Sequence, residues 1–104
     1  MVARYDIYRH PDPAERHLIP YLLDVQNAFI TLGSRVVIPL LPTKRLTSKV
    51  RDLNPEFIVG GQTIVLHTSA IAAVAESELR RPIGNLSAHQ TEIQQALDTL
   101  FGGY

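Results

Sequence analysis

The chain lacks cysteine, a charge imbalance and any long apolar run. Without cysteine it forms no disulfide, and its composition does not point to an oxidising compartment. Ten basic and ten acidic residues cancel, which argues against the basic surface that binds nucleic-acid backbones. Its apolar runs are far shorter than the ~18 residues of a membrane span, and the beginning of the chain shows no signal-peptide pattern. We therefore expect a cytoplasmic protein that contacts neither membranes nor nucleic acid directly.

Patterns that usually carry a cofactor or a catalytic group are also missing. Gly60-Gly61 lies between two β-branched runs, whereas a phosphate-binding loop precedes a helix. Nothing in the sequence indicates a serine nucleophile with a histidine base. We expect no metal, no cofactor and no catalytic residue, because the four histidines have neither helical spacing nor cysteine neighbours: His10, His17, His67 and His89.

The 104 residues, 45% of them apolar, fit one folded domain over residues 1–104. Residues 2–8 alternate between apolar and polar side chains, which predicts a half-buried strand. Residues 17–26 and 35–40 are apolar on both faces, so we predict two strands in the middle of a sheet that is covered on both sides. Pro39 would close the second of them.

Polar side chains interrupt the apolar stretch between these two strands. Asp24, Gln26 and Asn27 would lie near the core, where polar groups need hydrogen-bond partners. We expect them to form a structural hydrogen-bond cluster rather than a catalytic group. Gly33-Ser34 would supply the turn back into the next strand.

The second half of the chain contains a hairpin and a terminal helix. Two β-branched runs flank Gly60-Gly61, which predicts a hairpin with a two-residue primed turn. Residues 42–55 would form a short helix or an ordered loop. Ser87 and Gln90 match a capping box, followed by an apolar stripe at helical spacing, which predicts a helix over residues 88–101. Residues 69–81 fit a helix by composition or a strand near residues 71–75 by alternation, and local rules do not settle the choice.

Several of these blocks together resemble the CcdB family, the toxins of bacterial toxin–antitoxin pairs. The likeness spans nearly the full length of the chain. It implies a mainly β fold, which is a small SH3-like antiparallel barrel with a side sheet and one C-terminal α-helix. It also favours a strand for residues 71–75. The blocks that carry it are Asp24-Val25-Gln26, residues 35–40, Leu86-Ser87, Ile93, Ala96 and residues 101–103.

The resemblance implies three partners, namely a second copy of the chain, a CcdA-like antitoxin and the A subunit of DNA gyrase. It also implies that the toxin traps gyrase on cleaved DNA. Asp98 replaces a neutral amide, Gly102 stands where the best-studied family member has tryptophan, and Tyr104 replaces isoleucine. A tryptophan anchor is commonly worth about 2 kcal/mol or more at an interface, so Gly102 should weaken gyrase binding. The gyrase-binding positions carried over are Phe29, Ile30, Asp98, Phe101, Gly102, Gly103 and Tyr104.

Two further surfaces have an ordinary explanation and a functional one. Leu97 and Leu100 continue the helical stripe and would form a dimer interface, although such a stripe is most simply core. A basic cluster would attract an acidic antitoxin, although such clusters are usually solvated: Lys44, Arg45, Lys49 and Arg51.

Two alternative functions stay open. The related MazF-type endoribonuclease toxins share the barrel, and Arg35 with Thr31 or Ser34 could serve as a phosphate clamp and proton carrier. The zero net charge and the closer CcdB likeness argue for a protein-binding toxin that is not an enzyme. The other alternative is a CcdB-type dimer that has lost gyrase poisoning.

Overall fold

The computed structural model describes residues 3–102. Its regular elements alternate along the chain, and short 3-10 helices join several of them. Within that range, no helix combines the length and the apolar character needed to cross a membrane. The strands are β1 Asp6–Arg9, β2 Tyr21–Asp24, β3 Ser34–Pro42, β4 Glu56–Val59, β5 Gln62–Leu66, β6 Ala72–Ala75 and β7 Gly84–Asn85. The α-helix is α1 Gln90–Phe101, and the 3-10 helices are Pro13–Glu15, Thr43–Arg45, Thr68–Ala70, Glu76–Glu78 and Ser87–His89.

All strand pairs are antiparallel, and they form one sheet in the order β4-β5-β3-β2-β1-β7, with β6 added as a side branch on β3. The sheet curls into a half-barrel against the single helix. This confirms the predicted mainly β fold of barrel type with one C-terminal helix. The strand alternative for residues 71–75 is also confirmed, because Ala72–Ala75 pairs with β3.

Strand β3 is longer than predicted and organises the sheet. It pairs with β2 along one side, while its other side pairs first with β6 and then with β5. Pro39 was expected to close the strand, which instead runs on to Pro42. Pro39 lies where the second partner changes, so its missing N–H interrupts no continuous ladder. Its carbonyl still accepts a hydrogen bond from the His67 N–H at 2.9 Å.

The two strands before β3 are shorter than predicted. Residues 17–26 were expected to form one strand, but β2 begins only at Tyr21, directly after Pro20. The first strand begins at Asp6 because Tyr5 has a φ of 72°, outside the extended region. Val2, the predicted start of that strand, lies outside the described residues.

Alternate residues of β2 and β3 are buried on both faces of the sheet, as predicted. Leu23 and Ile38 are fully buried in the main core, which also receives Ile93 of α1. Leu22 and Val37 point the other way, into a smaller cluster with Tyr8 and Leu79. Each such side chain contributes roughly 1.5–3 kcal/mol through burial, so the centre of the sheet is fixed from both sides.

The hairpin and its turn agree with the sequence prediction. Val59 pairs with Gln62, and Gly60 and Gly61 have φ values of 58° and 77°. Positive φ at both central residues is what a type I′ turn requires. Residues 42–55 follow the ordered-loop alternative after one short 3-10 turn. Asn54 secures this loop, because its Oδ1 accepts from the Val50 N–H at 2.9 Å and its Nδ2 donates to the Leu66 carbonyl at 3.0 Å.

Helix α1 forms as predicted, but the capping box is wrong. The helix begins at Gln90, and no side chain of the described residues caps its first turn. Ser87 instead opens a 3-10 turn, and its N–H donates to the Asn85 Oδ1 at 2.7 Å. At the other end Gly102 stops the helix in a left-handed conformation, with its N–H bonded to the Asp98 carbonyl.

Candidate functional site

A buried ion pair lies at the base of the candidate site. Asp24 ends β2 and Arg35 lies at the start of β3, and both side chains are fully buried. Arg35 Nε donates to Asp24 Oδ2 at 2.8 Å, and Arg35 Nη2 donates to Asp24 Oδ1 at 2.9 Å. The hydrogen bond to Asp24 raises the pKa of Arg35 above its ordinary value. The guanidinium therefore stays charged, and the two-pronged contact offsets its loss of hydration.

The same guanidinium holds the loop between the two strands, residues 25–33. Its Nη1 donates to the Ile30 carbonyl at 2.9 Å, and its Nη2 donates to the Gln26 carbonyl at 2.9 Å. A longer bond of 3.4 Å reaches the Asn27 carbonyl. One buried side chain thus fixes the backbone at three points of the loop.

Gln26 explains why β2 stops at Asp24. Val25 N–H still donates to the Val36 carbonyl at 3.0 Å, as in a continuing antiparallel ladder. The returning Val36 N–H, however, donates to the Gln26 side-chain Oε1 at 2.9 Å. Gln26 Nε2 meanwhile donates to the Ile30 carbonyl at 2.9 Å. The Gln26 side chain therefore takes the hydrogen bond that the Val25 carbonyl would accept in a continuing ladder. The strand pairing ends here, and the chain leaves the sheet and enters the loop.

The tip of the loop is apolar and exposed. Phe29 is 95% exposed, Leu32 is 80% exposed and Ile30 is 45% exposed. Asn27 stabilises the turn that leads to these residues, because its Oδ1 accepts a hydrogen bond from the Phe29 N–H at 2.9 Å. Phe29 and Ile30 are the positions predicted to contact gyrase, and Leu32, which was not among the predicted positions, is exposed on the same loop. We call these three side chains the apolar tip. The hydrogen bonds of Arg35 and Gln26 hold the loop below them, and exposed apolar groups of this kind are typical of binding surfaces.

The end of α1 forms a second exposed surface. Phe101 is 70% exposed, and Asp98 is exposed one turn earlier. A Cβ built at Gly102 would meet no heavy atom of residues 3–102 within 4 Å, and Gly102 itself is exposed. Gly103 and Tyr104, also expected to contact gyrase, lie outside the described residues.

The helix positions predicted for a dimer interface have different environments. Leu97 is 9% exposed and packs in the main core beside Ile93 and Ala96. Leu100 is half-buried at the margin of that face. Leu97 thus has little surface left for a partner, and a dimer contact at the two predicted positions would depend on Leu100.

The basic cluster lies on the connection between β3 and β4. Its side chains are exposed: Lys44, Arg45, Lys49 and Arg51. Lys49 Nζ lies 3.2 Å from Glu56 Oε2, an exposed contact of small energetic value. Lys44 and Arg45 belong to a 3-10 turn that fixes their backbone while leaving both charges in solvent.

The proposed ribonuclease clamp does not form. Arg35 is fully buried, and its nitrogens are bonded to Asp24 and to loop carbonyls. Thr31 and Ser34 are exposed, so the guanidinium and the two hydroxyl residues do not share one accessible pocket. Across residues 3–102, no group of three or more His, Cys, Asp or Glu side chains could hold a metal ion.

Comparison with known families agrees with this architecture. The family model described as CcdB protein matches residues 4–103. The matched range includes every strand, the 25–33 loop and the whole of α1.

The buried ion pair yields a stability prediction. Arg35→Met should lower the free energy of unfolding by roughly 3–5 kcal/mol, because it leaves the Asp24 carboxylate buried without its partner. Lys49→Met, which breaks an exposed ion pair, should cost less than about 1 kcal/mol. Urea denaturation of both variants measures the difference. Equal losses would show that the Asp24–Arg35 pair does not hold the loop base.

Proposed function

Because the chain belongs to the CcdB family, the toxins of toxin–antitoxin systems, we propose that it poisons DNA gyrase. In this proposal a cytoplasmic homodimer binds the gyrase A subunit and traps the complex of gyrase with cleaved DNA. A CcdA-like antitoxin neutralises it. The toxin acts by binding and catalyses no reaction of its own.

The apolar tip is the observation that carries the proposal. Exposed apolar side chains on a loop held by hydrogen bonds from the buried Arg35 lose little conformational freedom on binding, so more of their burial appears as affinity. Phe29 and Ile30 lie at the positions that the CcdB resemblance assigns to gyrase. Phe101, exposed at the end of α1, adds the aromatic group that interface anchors commonly use.

Supercoiling and DNA-cleavage assays with gyrase test the activity directly. The toxin should inhibit supercoiling and accumulate cleaved DNA, while a parallel RNA-cleavage assay stays negative. RNA cleavage without gyrase inhibition would favour the ribonuclease alternative. A protein inactive in both assays would fit the second candidate, a CcdB-type dimer that has lost poisoning, which the missing anchor at Gly102 favours.

Gly102 sets the expected strength of gyrase binding. Its φ of 71° strains any side chain placed there, even though the surrounding space is open. We therefore compare Gly102→Trp with Gly102→Ala, which carries the same strain without the ring. Gly102→Trp should bind the gyrase A-subunit fragment about 2 kcal/mol more tightly than Gly102→Ala, because it restores a large anchor.

Calorimetric titration of the three proteins measures this difference. Phe101→Ala and Phe29→Ala serve as loss-of-contact controls and should weaken binding. Tight binding by the natural protein that neither alanine substitution changes would place the gyrase contact elsewhere on the surface.

Self-association through the end of α1 is a separate part of the proposal. The half-buried apolar side chain of Leu100 can be buried further against a second copy by two-fold contact, which leaves Phe101 exposed for gyrase. Light scattering at micromolar concentration should give twice the 11.6 kDa chain mass. Leu100→Glu should shift the protein toward monomer, because it places a charge in the contact.

Ile58→Glu is the matched control, since Ile58 is an apolar side chain that is 74% exposed and belongs to β4 rather than to α1. A natural protein that is monomeric at micromolar concentration would overturn this part. Dissociation by Ile58→Glu and not by Leu100→Glu would move the interface to β4.

The basic cluster is proposed to attract the acidic segment of the antitoxin. Such complementarity mainly accelerates association and makes it sensitive to salt. Lys44→Glu with Arg45→Glu should slow association about tenfold at low ionic strength and flatten its salt dependence. Arg80→Glu with Arg81→Glu makes the same charge change at another exposed site. Association rates of both double variants are measured by stopped flow. If the two rates fall equally, the effect is one of net charge, and a local antitoxin site at Lys44 and Arg45 is contradicted.

A further inference from the structure

Arg4 links the two elements that carry the surface proposed for gyrase, the 25–33 loop and helix α1. Its Nε donates to the Val25 carbonyl at 3.1 Å, at the start of the 25–33 loop. Its Nη2 donates to Gln94 Oε1 at 3.2 Å, in the middle of α1. The guanidinium lies over the Tyr5 ring, 4.8 Å from its centroid, which limits its freedom. Loop and helix are therefore joined through one planar group.

The Val25 carbonyl is available because the β-ladder ends there. A continuing ladder would bond this carbonyl to the Val36 N–H, but Gln26 Oε1 accepts that hydrogen. Arg4 supplies the donor that the carbonyl would otherwise lack. The side chain that turns the loop outward is thus the one that frees the attachment point for Arg4.

The connection continues along α1 toward its exposed end. Gln94 Nε2 donates to Asp98 Oδ1 at 3.4 Å, one turn closer to Phe101. Arg4, Gln94 and Asp98 also line one open groove beside the helix. A series of hydrogen bonds therefore runs from the base of the loop to the last turn of the helix.

We propose that Arg4 is a positioning residue that sets the distance between the apolar tip and the end of α1. The inference deepens the proposed function and rests on it, because the two surfaces need a fixed spacing only if one rigid partner meets both. The planar fork of arginine reaches two acceptors at once, which the single ammonium of lysine does less well. Arg4 could not be identified from the sequence, because its two acceptors lie far away in the chain.

A distance measurement tests the geometry without gyrase. The chain has no native cysteine, so Leu32→Cys and Phe101→Cys accept one spin label each. The doubly labelled protein is diluted with excess unlabelled protein, so that pulsed electron paramagnetic resonance reports the distance between the two labels within one chain. Arg4→Met and Gln94→Met should broaden or shift the distribution. Gln95→Met changes the neighbouring exposed glutamine, which lines the same groove but is not the acceptor of the Arg4 hydrogen bond, and it should leave the distribution unchanged. A distribution that Arg4→Met leaves unaltered overturns the proposal.

A binding measurement tests the consequence for the partner. With the gyrase A-subunit fragment, Arg4→Met and Gln94→Met should each weaken binding about tenfold. The double variant should be no weaker than either single one, because both break the same connection. Fully additive losses, or an equal loss in Gln95→Met, would overturn the positioning role.

The two proposals fail in distinguishable ways. A natural protein that does not bind the gyrase fragment removes the proposed function. The distance distribution then decides the role of Arg4 alone: a shift in Arg4→Met supports it, and an unchanged distribution overturns it. Arg4→Lys tests whether the two-acceptor geometry of the guanidinium is needed. Its distance distribution should lie between those of the natural protein and Arg4→Met, because one ammonium group reaches two acceptors less well. A distribution identical to that of the natural protein would contradict the need for the guanidinium.

Discussion

The buried ion pair between Asp24 and Arg35 is the interaction on which the candidate site depends. Removing two charges from water costs several kcal/mol per ion, and an apolar pair of similar volume is often as stable or more stable. Apolar side chains could not, however, bind the carbonyls of Gln26 and Ile30, which Arg35 holds at 2.9 Å each. The pair is thus explained by the loop it shapes rather than by any gain in core stability.

Much of the fold could be predicted because its determinants are local. The two-sided burial of Leu22, Leu23, Val37 and Ile38 follows from apolar runs, and the hairpin follows from Gly60-Gly61. The failures depend on non-local contacts. Pro39 is tolerated inside β3 because another strand ends beside it, and that pairing is not encoded near Pro39. The strand at residues 71–75 was predicted only with the help of the family resemblance. Alanine favours a helix, whereas pairing with β3 makes Ala72–Ala75 a strand.

The candidate site was predictable only in part, for a related reason. Their position between two apolar runs marked Asp24 and Gln26 as polar groups that need partners, but the partners, Arg35 and Val36, follow only from the strand register. Leu32 was not among the predicted positions, because neither its neighbours in the sequence nor the family resemblance distinguished it. Its exposure follows from the way Arg35 and Gln26 bend the loop, which is a property of three dimensions.

The contrast between the fixed base of the 25–33 loop and the exposed position at Gly102 shows how folding and partner choice separate in this chain. The base is held by buried groups, so changes there disturb the sheet. Gly102 is constrained by its own backbone conformation, and a side chain there would touch no described neighbour within 4 Å. Loss of an anchor at this position therefore leaves the core, the loop and the helix intact. Binding strength can change at the end of α1 while the architecture that positions it stays the same.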